Sequence, residues 1–262
     1  MDYGILVDSQ HGFRAKRSTE TQLQLATVHD IAYAVQCNNS VSLAILDFSK
    51  ATAFDKVSHQ RLLSKLDNYR IRGPSHSWLS SFLTQRMQMV VCDGASSSAK
   101  KVTFGVPQGT VLGLSLFLLY INDLPSKLQC TVRLFADDCL LCVILVNPTS
   151  DAQLLSIQND LYKLEEWQNL WQMQFNPKKC STMCITLKKH LLPINFRFCG
   201  QILENVTSHP YLGVQLHSKL CWKEHIEFVV KSANKILGLI KRNVRFCDES
   251  VKLTLYKNVS KT

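Results

Sequence analysis

An α+β fold is predicted by three features of the sequence. Apolar runs of strand length alternate with amphipathic runs of helix length, several strand runs face each other across short turn signals, and no regular strand–helix–strand repeat suggests a doubly wound sheet. Residues 41–48 read as a buried strand, a short apolar run that reaches the carboxylate Asp47. Residues 58–69 follow as an amphipathic helix with Leu62, Leu63 and Leu66 on one side, broken by Ile71-Arg72-Gly73-Pro74. A second helix over 75–84, a strand around 87–92 and a turn at Asp93-Gly94 come next. Residues 105–110 form a loop, and Thr110 can cap an apolar helix that runs to Leu124, before Pro125.

Arg133 to Cys142 is a hairpin with Asp137 and Asp138 at its turn. From Ser150 or Asp151, the residues Leu154, Ile157, Leu161, Leu164, Trp167 and Trp171 recur at steps of three and four, which predicts a long helix ended by Asn176-Pro177. Residues 180–186 read as a strand packed on that helix, and residues 195–199 and 201–206 as a hairpin about Gly200. Tyr211-Leu212-Gly213-Val214 starts another strand. Residues 222–243 form a helix with the apolar stripe Ile226, Val229, Ala233, Ile236, Leu237 and Ile240, and with Lys231, Lys235, Lys241 and Arg242 off that stripe.

With 262 residues, 46% of them hydrophobic, the chain can bury a core and form more than one lobe. No apolar run approaches the ~18–20 residues of a membrane span, and the first residues lack the basic and apolar blocks of a secretion signal. An intracellular protein of the nucleus or cytoplasm is expected. The ten cysteines are scattered; Cys139/Cys142 and Cys180/Cys184 lack second pairs at zinc-finger spacing and are expected to be free thiols. The net charge of +10 is unevenly placed: the first 175 residues hold fifteen Lys+Arg against fifteen Asp+Glu, the remainder fifteen against five. A basic C-terminal lobe suits a polyanion, either nucleic acid or an anionic membrane surface.

Aspartates between strand-forming runs need a reason to be there, because they disfavour strands and cost free energy near a core. If the strand ending at Asp47 neighbours the hairpin bearing Asp137 and Asp138, three carboxylates converge and repel one another unless cations share them. Oxygen ligands alone favour Mg²⁺ or Mn²⁺. Two such ions ~3.5–4 Å apart can align a phosphoryl transfer. The chemistry of these residues points to nucleotidyl transfer or nuclease action.

The ordered motifs narrow this further. Gln10-His11-Gly12-Phe13-Arg14-Ala15-Lys16-Arg17-Ser18-Thr19, Ala44-Ile45-Leu46-Asp47-Phe48-Ser49-Lys50-Ala51, Gly105-Val106-Pro107-Gln108-Gly109-Thr110-Val111-Leu112-Gly113, Phe135-Ala136-Asp137-Asp138, Trp171 to Cys180, and Tyr211-Leu212-Gly213-Val214 follow one another in that order. Together they resemble the reverse transcriptase domain of a non-LTR (LINE-type) retrotransposon. The resemblance implies a right-hand polymerase fold: partial fingers over 1–36, palm over 37–67, a fingers–palm connection over 68–104, palm again over 105–216, and the beginning of a thumb over 217–262. It implies an RNA-directed DNA polymerase that takes an RNA template, a DNA primer and dNTPs, with no membrane partner, and two Mg²⁺ ions for which Mn²⁺ can substitute. Asp47, Asp137 and Asp138 would be catalytic metal ligands. Arg14, Lys16, Arg17, Phe48, Phe54, Pro107, Gln108 and Gly109 would contact nucleotide or template. Tyr211, Leu212 and Gly213 would form a primer grip, and Lys231, Lys235, Lys241 and Arg242 a nucleic-acid-binding lobe.

The match departs from the family in places. Where the family has Asp-Phe-Ser-Lys-Ala-Phe-Asp, this chain is two residues longer, which puts Thr52 at the offset of the sugar-sensing aromatic and Phe54 two residues late. Such a shift moves a strand side chain about 6–7 Å. The family's Pro-Leu-Leu-Phe after Gly113 is Leu114-Ser115-Leu116-Phe117, in which Ser115 can bond back to a carbonyl one turn earlier. The upstream fingers and most of the thumb are expected to be missing. The other reading is therefore a catalytically inactive remnant that at most binds nucleic acid.

Overall fold

The computed structural model describes residues 4–48, 53–146, 151–188, 195–244 and 247–259. It divides into two units, Met1–Thr207 and Ser208–Thr262. In the first unit a capping box starts helix α1 (Thr19–Leu23): the Ser18 hydroxyl accepts from the Thr21 amide, and the Thr21 hydroxyl from that of Ser18. The helix continues through a π-helical stretch, Gln24–Ala32, into α2 (Tyr33–Gln36). Strand β1 (Ser40–Asp47) follows, then α3 (His59–Asn68) and α4 (Pro74–Thr84), which begins with proline at its first turn. Next comes an exposed arm: β2 (Met87–Gln88) pairs with β5 (Lys100–Lys101), and β3 (Val91–Cys92) with β4 (Ala95–Ser96). Both residues of its Asp93-Gly94 turn have positive φ, as one of the two common tight hairpin turns requires.

Thr110 caps α5 (Val111–Ile121) by accepting from the Gly113 amide at 3.0 Å. The helix gives way to a 3₁₀ turn, Leu124–Lys127, that contains Pro125. Ser115 bonds back to the Val111 carbonyl at 2.9 Å, as its place in a helix predicts. Then come β6 (Thr131–Phe135), β7 (Asp138–Leu145), α6 (Asp151–Trp171), β8 (Ser181–Ile185), β9 (Arg197–Phe198), β10 (Gln201–Ile202) and β11 (Glu204–Asn205). Helix α6 stops at Trp171, earlier than Asn176-Pro177 suggests, because Gln172 turns left-handed at φ 57°.

The main sheet runs β11-β8-β1-β7-β6, with β8–β11 parallel and the rest antiparallel. Strand β8, expected on the helix, is thus a sheet neighbour of β1. Strand β1 is central and covered on both faces, which explains a run of apolar residues without alternation. Ala44 and Leu46 on one face join Cys139, Leu141, Val132 and Leu134 in a core with Leu62, Leu66, Phe117, Tyr120, Ile157, Leu161 and Leu164 of the helices. On the other face Leu43, Ile45, Leu140 and Cys142 are also buried. There Arg133 donates from Nε and Nη2 to the two carboxylate oxygens of Asp30, at 2.9 and 3.0 Å, and so ties the N-terminal helical run to β6.

The second unit is a hairpin, β12 (Ser208–Tyr211) with β13 (Val214–His217), followed by α7 (Lys223–Asn243) and α8 (Glu249–Val259). Leu212 and Gly213, expected to start a strand, are its turn, at φ 48° and 83°. None of the apolar stripe of α7 is buried. No helix among the described residues is long and apolar enough to cross a membrane. All ten cysteines are free thiols, with Cys130, Cys139, Cys142 and Cys180 buried.

Candidate active site

The last rung of the β1–β7 ladder pairs Asp47 with Asp138. Direct antiparallel partners point to the same face, their Cβ atoms ~4.5–5.5 Å apart, so the two carboxylates lie side by side. Asp138 also pairs with Phe135 across the β6–β7 hairpin, which leaves Ala136 and Asp137 as a two-residue turn. Ala136 has φ 53° and Asp137 does not, the pattern of a turn that ordinarily puts glycine first.

Burial pushes the Asp137 carboxyl above its usual range, and the Asp47 carboxylate pushes it further. Asp47 is held from below by its own backbone. Its amide donates to Cys180 Sγ at 3.5 Å, and its carbonyl accepts from the Asn176 amide at 2.9 Å. Lys179 Nζ lies 3.8 Å from Asp47 Oδ2. The sequence places Lys179 within a matching motif but attaches no role to it; a lysine two residues past a proline in the loop after a helix carries no local signal of a carboxylate partner. Among the described residues, no three His, Cys, Asp or Glu side chains are gathered closely enough to hold an ion as they stand. What the structure assembles is the pair Asp47–Asp138 by register and the pair Asp47–Asp137 by charge. This oxygen-only donor set, with like charges opposed, fits hard divalent ions.

The loop before α5 is fixed at both ends and open at its tip. His59, whose imidazole pKa is lowered by burial, donates from Nε2 to the Gly105 carbonyl at 2.8 Å, and Arg86 reaches the same oxygen at 3.4 Å. A Cβ on Gly105 would sit 2.8 Å from Asp55 Cα, and one on Gly113 would sit 2.0 Å from the Pro107 carbonyl oxygen. Pro107 is half-buried, whereas Gln108 and Gly109 are exposed. Gly109 has φ 84° with nothing near its missing Cβ, so backbone conformation, not a neighbour in this chain, calls for glycine there.

The remaining expected site residues divide sharply. Arg14 donates to the Val7 and Gln10 carbonyls at 2.8 and 3.3 Å, and Arg17 pairs with Asp8 at 2.8 Å, so both knit the loop they stand on. Lys16 is exposed. Phe48, grouped with the nucleotide contacts, is 1% exposed and stacks on Phe175 with centroids 4.2 Å apart; its ring is core and closed to a ligand. Phe54 stacks on Phe117 at 4.1 Å, packed against the same core. The extra residues ahead of it fall largely outside the described residues. In the second unit Tyr211 is buried, and Lys231, Lys235, Lys241 and Arg242 are all exposed on α7.

The same fold occurs in solved telomerases. Apo telomerase from Candida tropicalis aligns with a TM-score of 0.56 at 12% identity, over 84% of this chain and 37% of that one. Its form truncated from the C-terminal domain aligns with a TM-score of 0.54 at 13% identity, over 82% and 40%. The architecture is thus a right-hand polymerase fold. The reverse transcriptase (RNA-dependent DNA polymerase) family matches residues 3–216, and this chain belongs to it. Among curated relatives, the probable RNA-directed DNA polymerase from transposon X-element of Drosophila melanogaster is 31% identical over 98% of this chain and 28% of its own length. The RNA-directed DNA polymerase from mobile element jockey of the same species is 30% identical over 83% and 24%. The similarity is therefore to the non-LTR retrotransposon branch, and the chain spans about a quarter of the length of these relatives.

Proposed function

We propose that this chain is an RNA-directed DNA polymerase domain that extends a DNA primer along an RNA template with dNTPs. In this reading two Mg²⁺ ions, or Mn²⁺ in their place, are held by Asp47, Asp137 and Asp138. The observation that carries it is the pairing of Asp47 with Asp138 at the end of a central ladder, with Asp137 in the adjoining turn, in a chain of this family. When bound, such ions lower the pKa of the primer 3′-hydroxyl and neutralise the triphosphate.

The chain's own residues do the positioning. The backbone grip on Asp47 and the closed two-residue turn that carries Asp137 hold the backbone under both carboxylates before a substrate arrives, which limits the reorganisation left at the moment of reaction. Gln108 and Gly109 meet the template and incoming nucleotide at the exposed head of α5, with Pro107 setting the loop's entry. Lys16 contacts phosphate, while Arg14 and Arg17 shape the loop that presents it. Tyr211, Leu212 and Gly213 act as the primer grip, and the basic face of α7 follows the nucleic acid backbone. Residues 1–36 correspond to fingers, 37–67 and 105–216 to palm, 68–104 to their connection and 217–262 to the start of a thumb.

Primer extension on an RNA template, with Mg²⁺ and with Mn²⁺, tests the assignment. Extension should be abolished in Asp137→Ala; equal extension by both proteins would remove the mechanistic reading. A second reading, a remnant that binds nucleic acid without extending it, is favoured by the stacking of Phe54 on Phe117, which commits the displaced aromatic to packing. Under that reading, the wild-type chain is inactive and deleting two of residues 51–53 restores extension.

A further inference from the structure

Asp137 has no strand of its own. Its position depends on Ala136, a non-glycine residue in the left-handed region that a Cβ disfavours. The segment that meets this turn comes from the far end of the sequence. The Leu134 amide donates to the Ser9 carbonyl and the His11 amide to the Leu134 carbonyl, both at 2.8 Å, so residues 9–11 run beside β6 in the manner of a parallel strand. That brings Gln10 onto the turn. Its side chain is buried, with 1% of the residue exposed. Its Oε1 accepts from the Ala136 amide at 3.0 Å and the Gly12 amide at 2.7 Å, while its Nε2 donates to the Ala136 carbonyl at 3.4 Å. One carboxamide thus occupies both backbone polar groups of the residue before Asp137, much as a neighbouring strand would. Gly12 closes the arrangement: a Cβ there would fall 2.2 Å from the Ala136 nitrogen.

We infer that Gln10 is a positioning residue for Asp137, a side-chain clamp that holds the strained turn in the one conformation that aims this carboxylate toward Asp47. What the aim is for rests on the polymerase reading; the clamp itself does not. A methionine at this position keeps the length and volume of glutamine but makes none of the three hydrogen bonds. A glutamate keeps the two short acceptor bonds and, when protonated, the donor as well, whereas its ionised form sets an oxygen against the Ala136 carbonyl.

The test compares Gln10→Met and Gln10→Glu with wild type by amide hydrogen exchange and by Mn²⁺ titration followed by electron paramagnetic resonance. In Gln10→Met, exchange should rise at residues 136–138 and stay unchanged through β1 and β8. Mn²⁺ affinity should fall by about 10–100-fold, the range found when a residue that orients a metal ligand is lost. Gln10→Glu should keep the turn protected. In an active enzyme Gln10→Met should lower kcat by a similar factor with little change in the KM for dNTP. Wild-type protection at 136–138 in Gln10→Met would overturn the clamp, and so would exchange rising equally throughout the sheet, which marks a residue that serves folding alone. If the wild-type chain binds no Mn²⁺, the polymerase reading fails, while the exchange experiment still decides whether Gln10 holds the turn.

Discussion

Asp137 ionises against two obstacles, its burial and the carboxylate of Asp47. A carboxyl whose folded pKa is raised contributes stability that is complete below its unfolded pKa, near 4, and is lost as pH rises through the folded value. At neutral pH and without divalent ions, the folded chain therefore carries a penalty that Asp137→Asn removes. The variant should melt higher than wild type at pH 7, by ~2–4 °C for each kcal/mol relieved, with the gap closing as pH falls toward 4 and with divalent ions raising only the wild type. A thermal scan with and without Mg²⁺ checks this; a variant that melts lower at pH 7 would contradict the opposed-carboxylate picture. Lys65 is the converse case. It is nearly fully buried, donates to Asp123 Oδ1 at 2.6 Å and to the Tyr120 carbonyl, and sits 3.6 Å from the Trp171 ring centroid. Burial lowers its pKa to about 8, even though Asp123 opposes the shift. Because the unfolded chain keeps that proton until about pH 10.4, Lys65 makes stability rise with pH above 8. The buried thiols, whose pKa values burial raises, act in the opposite sense. The telling quantity is therefore a difference: Lys65→Met should lose more stability than wild type between pH 8 and 9.5. At pH 7 it should already be less stable than wild type, because removing one partner of a buried pair leaves Asp123 and the Tyr120 carbonyl without their donor. The half-exposed Asp123, to which Trp167 still donates at 3.0 Å, keeps that loss below the ~3–5 kcal/mol of a fully buried pair. Urea midpoints at the two pH values measure both.

Among the elements, α6 shows what local pattern reveals and what it leaves out. Its apolar spacing is legible in the sequence, and Ile157, Leu161 and Leu164 are indeed in the core. Asp160, on the same helix, has no periodic signature, yet its side chain is fully buried. Its Oδ2 accepts from the amides of Gln129 and Cys130 at 2.7 Å, and its Oδ1 from Lys163 at 2.9 Å. Burial pushes its pKa up, but Lys163 and these amides outweigh it and leave the carboxyl below its usual range. This staple fixes the start of β6 and so the hairpin bearing Asp137. Asp160→Ala should cost about 3 kcal/mol or more, since each bond to a charged group contributes ~1.5–3 kcal/mol. Asp160→Asn, which keeps an acceptor for the amides, should cost less; equal losses in urea melts would assign the effect to Lys163 alone. The same contrast runs through the chain. The hairpin at 137–138, the cap at Thr110 and helices α3 to α6 are legible because turn chemistry, capping and apolar period are local. The Asp47–Asp138 rung and the bridge from Gln10 to Leu134 arise between segments about ninety or more positions apart, where no local signal fixes register. Tyr211-Leu212-Gly213 misleads for a related reason: an apolar pair before glycine reads as a strand, while the two positive φ angles that make it a turn depend on the pairing of β12 with β13.

Over the whole molecule, charge is the property that composition locates and structure refines. The neutral first 175 residues and the basic remainder are visible in the sequence, but only the helix shows how part of that excess is arranged. On α7, Lys231, Lys235 and Arg242 fall on one line at helical spacing, opposite Ile226, Val229, Ala233, Ile236 and Ile240, with all three cations exposed. Arg242 Nε donates to the Gly238 carbonyl at 3.2 Å, which steadies the last of them. A row of cations is suited to an extended polyanion, since each phosphate it neutralises releases bound counterions. Binding to single-stranded RNA should then weaken with salt, with about 0.7 units of log–log slope for each phosphate contacted. Replacing Lys231, Lys235 and Arg242 together with alanine should reduce that slope by about 2 and lower affinity at low salt with no preference for sequence. Fluorescence anisotropy of a labelled oligonucleotide across a salt series measures both, with circular dichroism to confirm that the helix survives. An unchanged slope in a folded triple variant would show that this row does not touch nucleic acid, and the basic contacts would have to be sought on the Lys100–Lys101 arm instead.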